Sequence, residues 1–368
     1  MDVAVIGAGL AGLYTAKLLA ERGVRVLLID RKESLTGPIQ TTGIFVRKTW
    51  EDFPLPDEQL GPPIRDVFLY SPALRRLHLA AKRAEFRIGR MEWLYASMLD
   101  ACCGAGVRWL PSSTLIACDP GRVIVRRRRR VESYPTDFVV GADGARSVVA
   151  QQLGLDRNAE FLVGLEDIFE SRGPAALHCF IDPRLAPGYI AWIACDGERA
   201  HAGVAGYRER FNPAAALAEF RRRVQHIANG RTMERRGGLI PVSGILRNIA
   251  NERGLIVGDA AGAVSPLTAG GLDGAMRLSE LAADVIVSGQ WRRYTGAQFQ
   301  TRFLARRWMR RAMRVMPASA IEAAFMLIKP LAHHIFFSRG SFPEIRVEES
   351  TCASGVGSLR SGLRSRQV

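Results

Sequence analysis

Gly7-Ala8-Gly9-Leu10-Ala11-Gly12 directly follows the apolar run Val3-Ala4-Val5-Ile6, and no other stretch narrows the fold as much. A strand that breaks into G-x-G-x-x-G and continues as a helix opens a βαβ unit. Leu13, Ala16, Leu19 and Ala20 then recur at helical spacing up to Gly23, and 24–29 form a second apolar strand closed by Asp30. The glycines do separate jobs: Gly7 for the tight turn, Gly9 for close approach of a pyrophosphate, Gly12 for helix–sheet packing. The exposed amides and positive dipole end of the helix suit that anion. Ala8 and Ala11 lend backbone to the same loop. Asp30 is placed to accept hydrogen bonds from ribose hydroxyls, with Arg31 beside it. The fingerprint alone does not separate FAD from NAD.

Further along, 34–63 is rich in Gly, Pro and Thr and reads as irregular loop. Alternation at 67–70 and 76–79 predicts strands, 91–104 a helix, and 107–110 a strand. The stretches 115–117 and 123–125 form a hairpin around Asp119-Pro120-Gly121. Five arginines at 126–130 read as its solvated end rather than a phosphate patch. Strands are expected at 138–140 and 255–257, helices near 213–228, at 274–287 and within 295–338, and a disordered tail from 347.

The net charge of +15 is almost all arginine, and no nucleic-acid module accompanies it, so it reads as spread over solvated faces. None of Cys102, Cys103, Cys118, Cys179, Cys195 and Cys352 falls in a metal or redox spacing; they read as reduced thiols, with 102–103 in a helical core. No apolar run reaches membrane-spanning length and no signal peptide is visible, so a cytoplasmic protein is expected.

Two later motifs extend the first: Gly141-Ala142-Asp143-Gly144-Ala145-Arg146-Ser147, and Gly258-Asp259-Ala260-Ala261-Gly262 running through Pro266 to Gly270-Gly271. With all three in this order, the chain resembles the p-hydroxybenzoate hydroxylase-like flavoproteins, and within them the geranylgeranyl reductase family, over roughly residues 1–300. The resemblance implies FAD as cofactor and NAD(P)H or another reductant as transient donor. Asp259 would bond the ribityl chain, and Gly270, Gly271 and Leu272 would start a helix against the pyrimidine edge of the flavin. Asp143 would support FAD, Arg90 would reach its phosphates, and Leu115 would offer backbone to adenine. Asp143 and Asp259 also suit plain helix caps or turns.

Tyr189-Ile190-Ala191-Trp192, followed by Gly203 and Gly206, is similar to the family's substrate segment, which lines an isoprenoid cavity. It departs by one extra residue between Tyr189 and Trp192, by Ala194-Cys195 after the tryptophan, and by Thr41-Thr42 before Gly43. No catalytic acid or base stands out, although His201 lies near this strand.

The fold expected is α/β: a Rossmann-type FAD-binding domain in three parts (1–64, 89–154, 251–298), an antiparallel-sheet substrate domain (65–88, 155–250), C-terminal helices (299–346) and the tail (347–368). The function implied is reduction of C=C bonds in a large apolar substrate by a monomer. Rivals are a monooxygenase, a non-redox cyclase or isomerase, and a flavin-binding scaffold; the absence of W-x-W-x-I-P weighs against a halogenase. Arginines interleaved with apolar residues at 302–314 suit packing on the protein itself, or contact with an anionic membrane face.

Overall fold

Near-continuous apolar runs build the first sheet, as buried parallel strands do. Asp2–Ile6 lies parallel between Arg25–Ile29 and Phe138–Gly141. Arg108–Leu110 continues one side, and Gly254–Ile256 with the short antiparallel Ala250–Asn251 completes the other. One sheet is thus assembled from four distant parts of the chain. The structure, a computed structural model, describes residues 1–327 except Pro38, Arg172 and Ala228.

The helices are α1 (Leu10–Glu21), α2 (Arg47–Asp52), α3 (Met91–Gly104), α4 (Val148–Gln152), α5 (Pro213–Arg223), α6 (Leu272–Val287), α7 (Gln300–Val315) and α8 (Ala318–Ala324). α1 packs against α3 and α6, burying Leu13, Ala16 and Leu19 in the larger core. Gly12 lets α1 start close against the loop that leaves the first strand: a Cβ there would sit 1.8 Å from the Gly7 carbonyl oxygen.

The second large sheet runs in the order Glu234–Pro241, Phe161–Glu170, Arg199–Tyr207, Ala191–Cys195, Ala176–Phe180, Asp66–Tyr70, Arg76–Ala80. All its pairs are antiparallel except Ala176–Phe180 with Asp66–Tyr70. The mixed α/β architecture is the one expected. The hairpin gains a third strand, Arg130–Pro135, and Arg128 and Arg129 of the arginine run form the exposed turn before it.

Some expectations need correction. Residues 34–63 are not all loop: Ile44–Val46 pairs with Phe86–Ile88, and α2 follows it. Long-range bonds hold α2, with Thr49 Oγ1 donating to Asp273 Oδ1 at 3.2 Å and Arg277 reaching Asp52 at 2.6 Å. The helix placed near 213–228 ends at Arg223. Cys102 is buried, but Cys103 is exposed. Within 295–338 the structure shows α7 and α8; the stretch beyond 327, with the predicted tail, lies outside the described residues. Among the described residues no helix is long and apolar enough to cross a membrane.

Candidate functional site

The loop between the first strand and α1 shows how a glycine pattern becomes a cradle. Gly7 takes φ +104°, and a Cβ there would lie 2.3 Å from the Ala142 carbonyl oxygen. Gly9 differs, because a Cβ would meet no atom within 4 Å. It is the N-cap of α1, and no side chain caps that helix. The start of this 12-residue helix therefore adjoins open space at a residue without a side chain. Ala8 N–H donates to Asp30 Oδ2 at 2.7 Å and Lys32 N–H to Oδ1 at 2.8 Å, which fixes that carboxylate at the loop's rim.

A second helix start opens on the same space. α6 begins after Gly271, again without a side-chain cap, and Gly270, Gly271 and Leu272 line the cavity with Gly9 and Ala11. Asp259 lies at the same end, its Oδ1 3.4 Å from where a Gly271 Cβ would stand. Its side chain lines the cavity and is exposed by surface area, yet the protein packed around it pushes its pKa up to about 6. Two uncapped helix N-termini, a side-chain-free gap and a desolvated carboxylate suit a bound dinucleotide: the termini attract phosphate and the electron-rich ring edge, and the acid needs a hydroxyl donor.

The cavity, of about 1400 Å³, continues across the face of the seven-stranded sheet beneath α7 and α8. Tyr189 and Trp192 line it as expected, their rings 6.3 Å apart and edge-on. Tyr189 is held rigidly: its hydroxyl donates to the Thr268 carbonyl at 2.7 Å, and the Arg310 guanidinium covers its ring at 4.6 Å. Arg310 is buried and donates to the carbonyls of Pro266, Leu267 and Gly188, tying α7 to the 266–268 loop and to the Tyr189 turn. Gly203 and Gly206 do not line the cavity. They seat its wall: a Cβ on Gly203 would fall 2.2 Å from the Trp192 ring, and one on Gly206 2.7 Å from Pro187.

Several expected residues lie outside the lining. The Arg90 guanidinium, half exposed, donates to Glu198 Oε2 at 3.1 Å. Leu115 sits beside an irregularity in the hairpin. Arg31 is exposed. Asp143 accepts from the Ser147 hydroxyl at 2.6 Å and from the amides of Val148 and Val149 at 2.7 and 3.1 Å, so as placed it caps α4. Its neighbours Ala142 and Gly144 line the cavity instead.

Sequence reasoning passed over Glu166, whose side chain enters the cavity from a buried strand, and Arg236 beside it. It placed the apolar face of 302–314 on the protein itself or on a membrane, but did not single out Ala305, Met309 and Ala312 of α7 as cavity wall, although their i, i+4, i+7 spacing was the available signal. Among the described residues, no cluster of three or more His, Cys, Asp or Glu is placed to hold a metal ion.

Comparison with known proteins agrees with this geometry. Residues 5–53 match the NAD(P)-binding Rossmann-like domain, and 120–283 match the FAD binding domain. Digeranylgeranylglycerophospholipid reductase 1 of Methanopyrus kandleri is 30% identical over 319 residues, 82% of this chain and 84% of that one. Digeranylgeranylglycerophospholipid reductase of Methanothrix thermoacetophila is 27% identical over 302 residues, 77% of each chain. Among solved structures, a geranylgeranyl bacteriochlorophyll reductase-like protein from Thermoplasma acidophilum superimposes with a TM-score of 0.76 at 18% identity, covering 89% of this chain and 91% of that one. A flavin-dependent brominase reaches 0.68 at 12% identity, covering 91% and 92%; at such identities both likenesses speak for the fold alone. The chain belongs to the geranylgeranyl reductase family of FAD-dependent oxidoreductases.

Proposed function

We propose that the chain saturates carbon–carbon double bonds in the isoprenoid chains of a lipid. The observation that carries this reading is one continuous cavity. At one end stand Gly9, Asp259 and Gly271; the rest is walled by apolar side chains such as Met309, Met313, Ile321 and Phe325. A polar cofactor end joined to an oily channel fits a long hydrocarbon held against a redox centre.

In this reading the α1 amides and the gap at Gly9 would hold the pyrophosphate of FAD, and Asp30 the ribose. Asp259 and the start of α6 would hold its ring-bearing end. Bound there, FAD supplies a hydride after reduction by NAD(P)H or another donor that docks transiently. The chain's own part is to position and to dry. Tyr189 and Trp192, fixed by Thr268, Arg310 and Gly203, form a stiff wall that aligns the substrate, and the methionines of α7 adapt to its length.

A lipid has to arrive from a bilayer. The outer stripe of α7 exposes Leu304, Trp308 and Val315 among Arg311 and Arg314. We assign that stripe a peripheral contact with an anionic membrane surface, next to the helix that walls the cavity.

The test is anaerobic. Protein whose flavin has been reduced with dithionite is mixed with digeranylgeranyl glycerophospholipid in detergent micelles, and with its saturated counterpart. Reoxidation of the flavin by the unsaturated lipid alone is expected. Reoxidation by neither lipid would remove the substrate assignment. Co-sedimentation with phosphatidylglycerol vesicles, weakened by Trp308→Asp, checks the membrane face.

A further inference from the structure

On the cavity face of the seven-stranded sheet, three buried polar atoms have no hydrogen-bond partner: Glu166 Oε1, His201 Nδ1 and Trp192 Nε1. Register places them together. Glu166 stands opposite Gly203, and Trp192 opposite Gly203 from the other side. His201 precedes Gly203 by two residues, so all three share one face. Glu166 Oε1 and His201 Nδ1 lie 3.7 Å apart, within ion-pair range but beyond a hydrogen bond. The other carboxylate oxygen is held, because the Thr42 hydroxyl donates to Oε2 at 2.6 Å. Glu166 therefore keeps one oxygen fixed and the other unpartnered.

We propose that Glu166 is the catalytic proton donor of the reduction, with His201 as the positioning residue that supplies it. The inference rests on the reductase reading and deepens it.

Saturating one double bond takes a hydride and a proton. As the π bond breaks, the hydride brings both electrons and forms one C–H bond. The proton leaves the Glu166 carboxyl to form the other, and the carboxylate left behind is reprotonated from His201 Nδ1 and, behind it, from water. Other acidic groups lining the cavity are committed elsewhere. Asp259 sits at the cofactor end. Glu85 is paired with Arg47 at 3.1 Å, and the Tyr189 hydroxyl with Thr268.

The charge state of the pair follows the contents of the cavity. Burial works to raise the Glu166 carboxyl, but His201, Thr42 and Arg236 together outweigh it and hold it below the usual range. The charged groups facing it are His201 on one neighbouring strand and Arg236 on the other. Arg236 is itself engaged by Glu234 at 2.5 and 2.8 Å and by Glu92 at 3.4 Å, with Arg199 beyond Glu92. Oε1 is already closed off from water, and a hydrocarbon filling the cavity removes what water remains around the rest of the side chain. A carboxylate with one oxygen unpartnered is costly in such surroundings, and the neutral carboxyl costs less. The carboxyl then carries its proton on Oε1, the oxygen left without a hydrogen-bond partner.

Three measurements decide it. In the micelle assay above, Glu166→Gln should keep its flavin content and its reduction by dithionite while reoxidation by the lipid slows on the order of 100-fold or more, the usual weight of a lost proton donor. Thr42→Val, which keeps the carboxyl, should move the fall of rate with rising pH to higher pH, because a donor to the carboxylate is gone. By infrared difference spectroscopy, adding the lipid to the oxidised protein should create a protonated-carboxyl C=O band that Glu166→Gln lacks. Reoxidation of Glu166→Gln at the parent's rate, an unmoved pH profile in Thr42→Val, or no carboxyl band on filling would each overturn the proposal. If the parent itself is not reoxidised, the reductase reading fails, and the infrared band still decides whether Glu166 takes up the proton.

Discussion

Replacing Gly9 with valine separates folding from cofactor binding. Gly9 has φ −78° and ψ 179°, a conformation valine adopts freely, and a Cβ there meets nothing within 4 Å. The apoprotein therefore loses at most about 1 kcal/mol, the difference between glycine and an apolar N-cap. The branched side chain instead fills the gap where a pyrophosphate approaches the first turn of α1. Two hydrogen bonds from amides to a charged phosphate, each about 1.5–3 kcal/mol, are lost or stretched. The sum of roughly 3–6 kcal/mol weakens FAD about 10²–10⁴-fold. The assay is a titration of apoprotein with FAD, followed by fluorescence quenching, beside a thermal melt of the same apoprotein. A normally folded Gly9→Val that retains stoichiometric flavin with a normal visible spectrum refutes the assignment. A variant that cannot fold shows that the gap was not open.

Other substitutions probe the rest of the site. Asp259 has its pKa raised to about 6 by burial, so its contribution to apoprotein stability is fully present below the ordinary carboxyl range and is lost as pH rises through about 6; Asp259→Asn should flatten that stretch of the pH–stability curve, and an unchanged curve would contradict the desolvated placement. Gly203→Ala puts a methyl 2.2 Å from the Trp192 ring and should cost about 1–3 kcal/mol by overpacking while flavin content stays normal and the lipid's KM rises; a lipid KM equal to the parent's would show that Trp192 does not wall the substrate. Arg310→Met strips a charged donor from the Pro266, Leu267 and Gly188 carbonyls, which should lower the denaturant midpoint by the equivalent of about 3 kcal/mol and speed flavin loss. An unchanged flavin off-rate would unlink α7 from the cofactor loop.

The parts of this protein legible in its sequence are those whose reasons are local. Gly7, Gly9 and Gly12 are set by one turn and one helix start, and Gly270–Leu272 marks the start of α6 in the same way. α2 was not legible, because its hold comes from Asp273 and Arg277, more than 200 residues away, while the surrounding Pro and Gly read as loop. Gly203 and Gly206 could be picked out, but not their purpose, since only the sheet register brings the Trp192 ring over Gly203. Glu166 was hidden for the same reason. In Leu162-Val163-Gly164-Leu165-Glu166-Asp167 two adjacent acids point to opposite faces, and only the pairing tells which one enters the cavity: Asp167 binds Arg221 and Arg235 on the far side. Asp143 shows the converse, a motif acid that as placed caps α4.

Product analysis tests the reductase reading most directly. Flavin-loaded protein with a reductant and a digeranylgeranyl glycerophospholipid is run with and without air, and the lipid is weighed by mass spectrometry. The account predicts two hydrogens gained per double bond in sealed, oxygen-free vessels. A product heavier by oxygen that forms only in air, or one of unchanged mass, would contradict it.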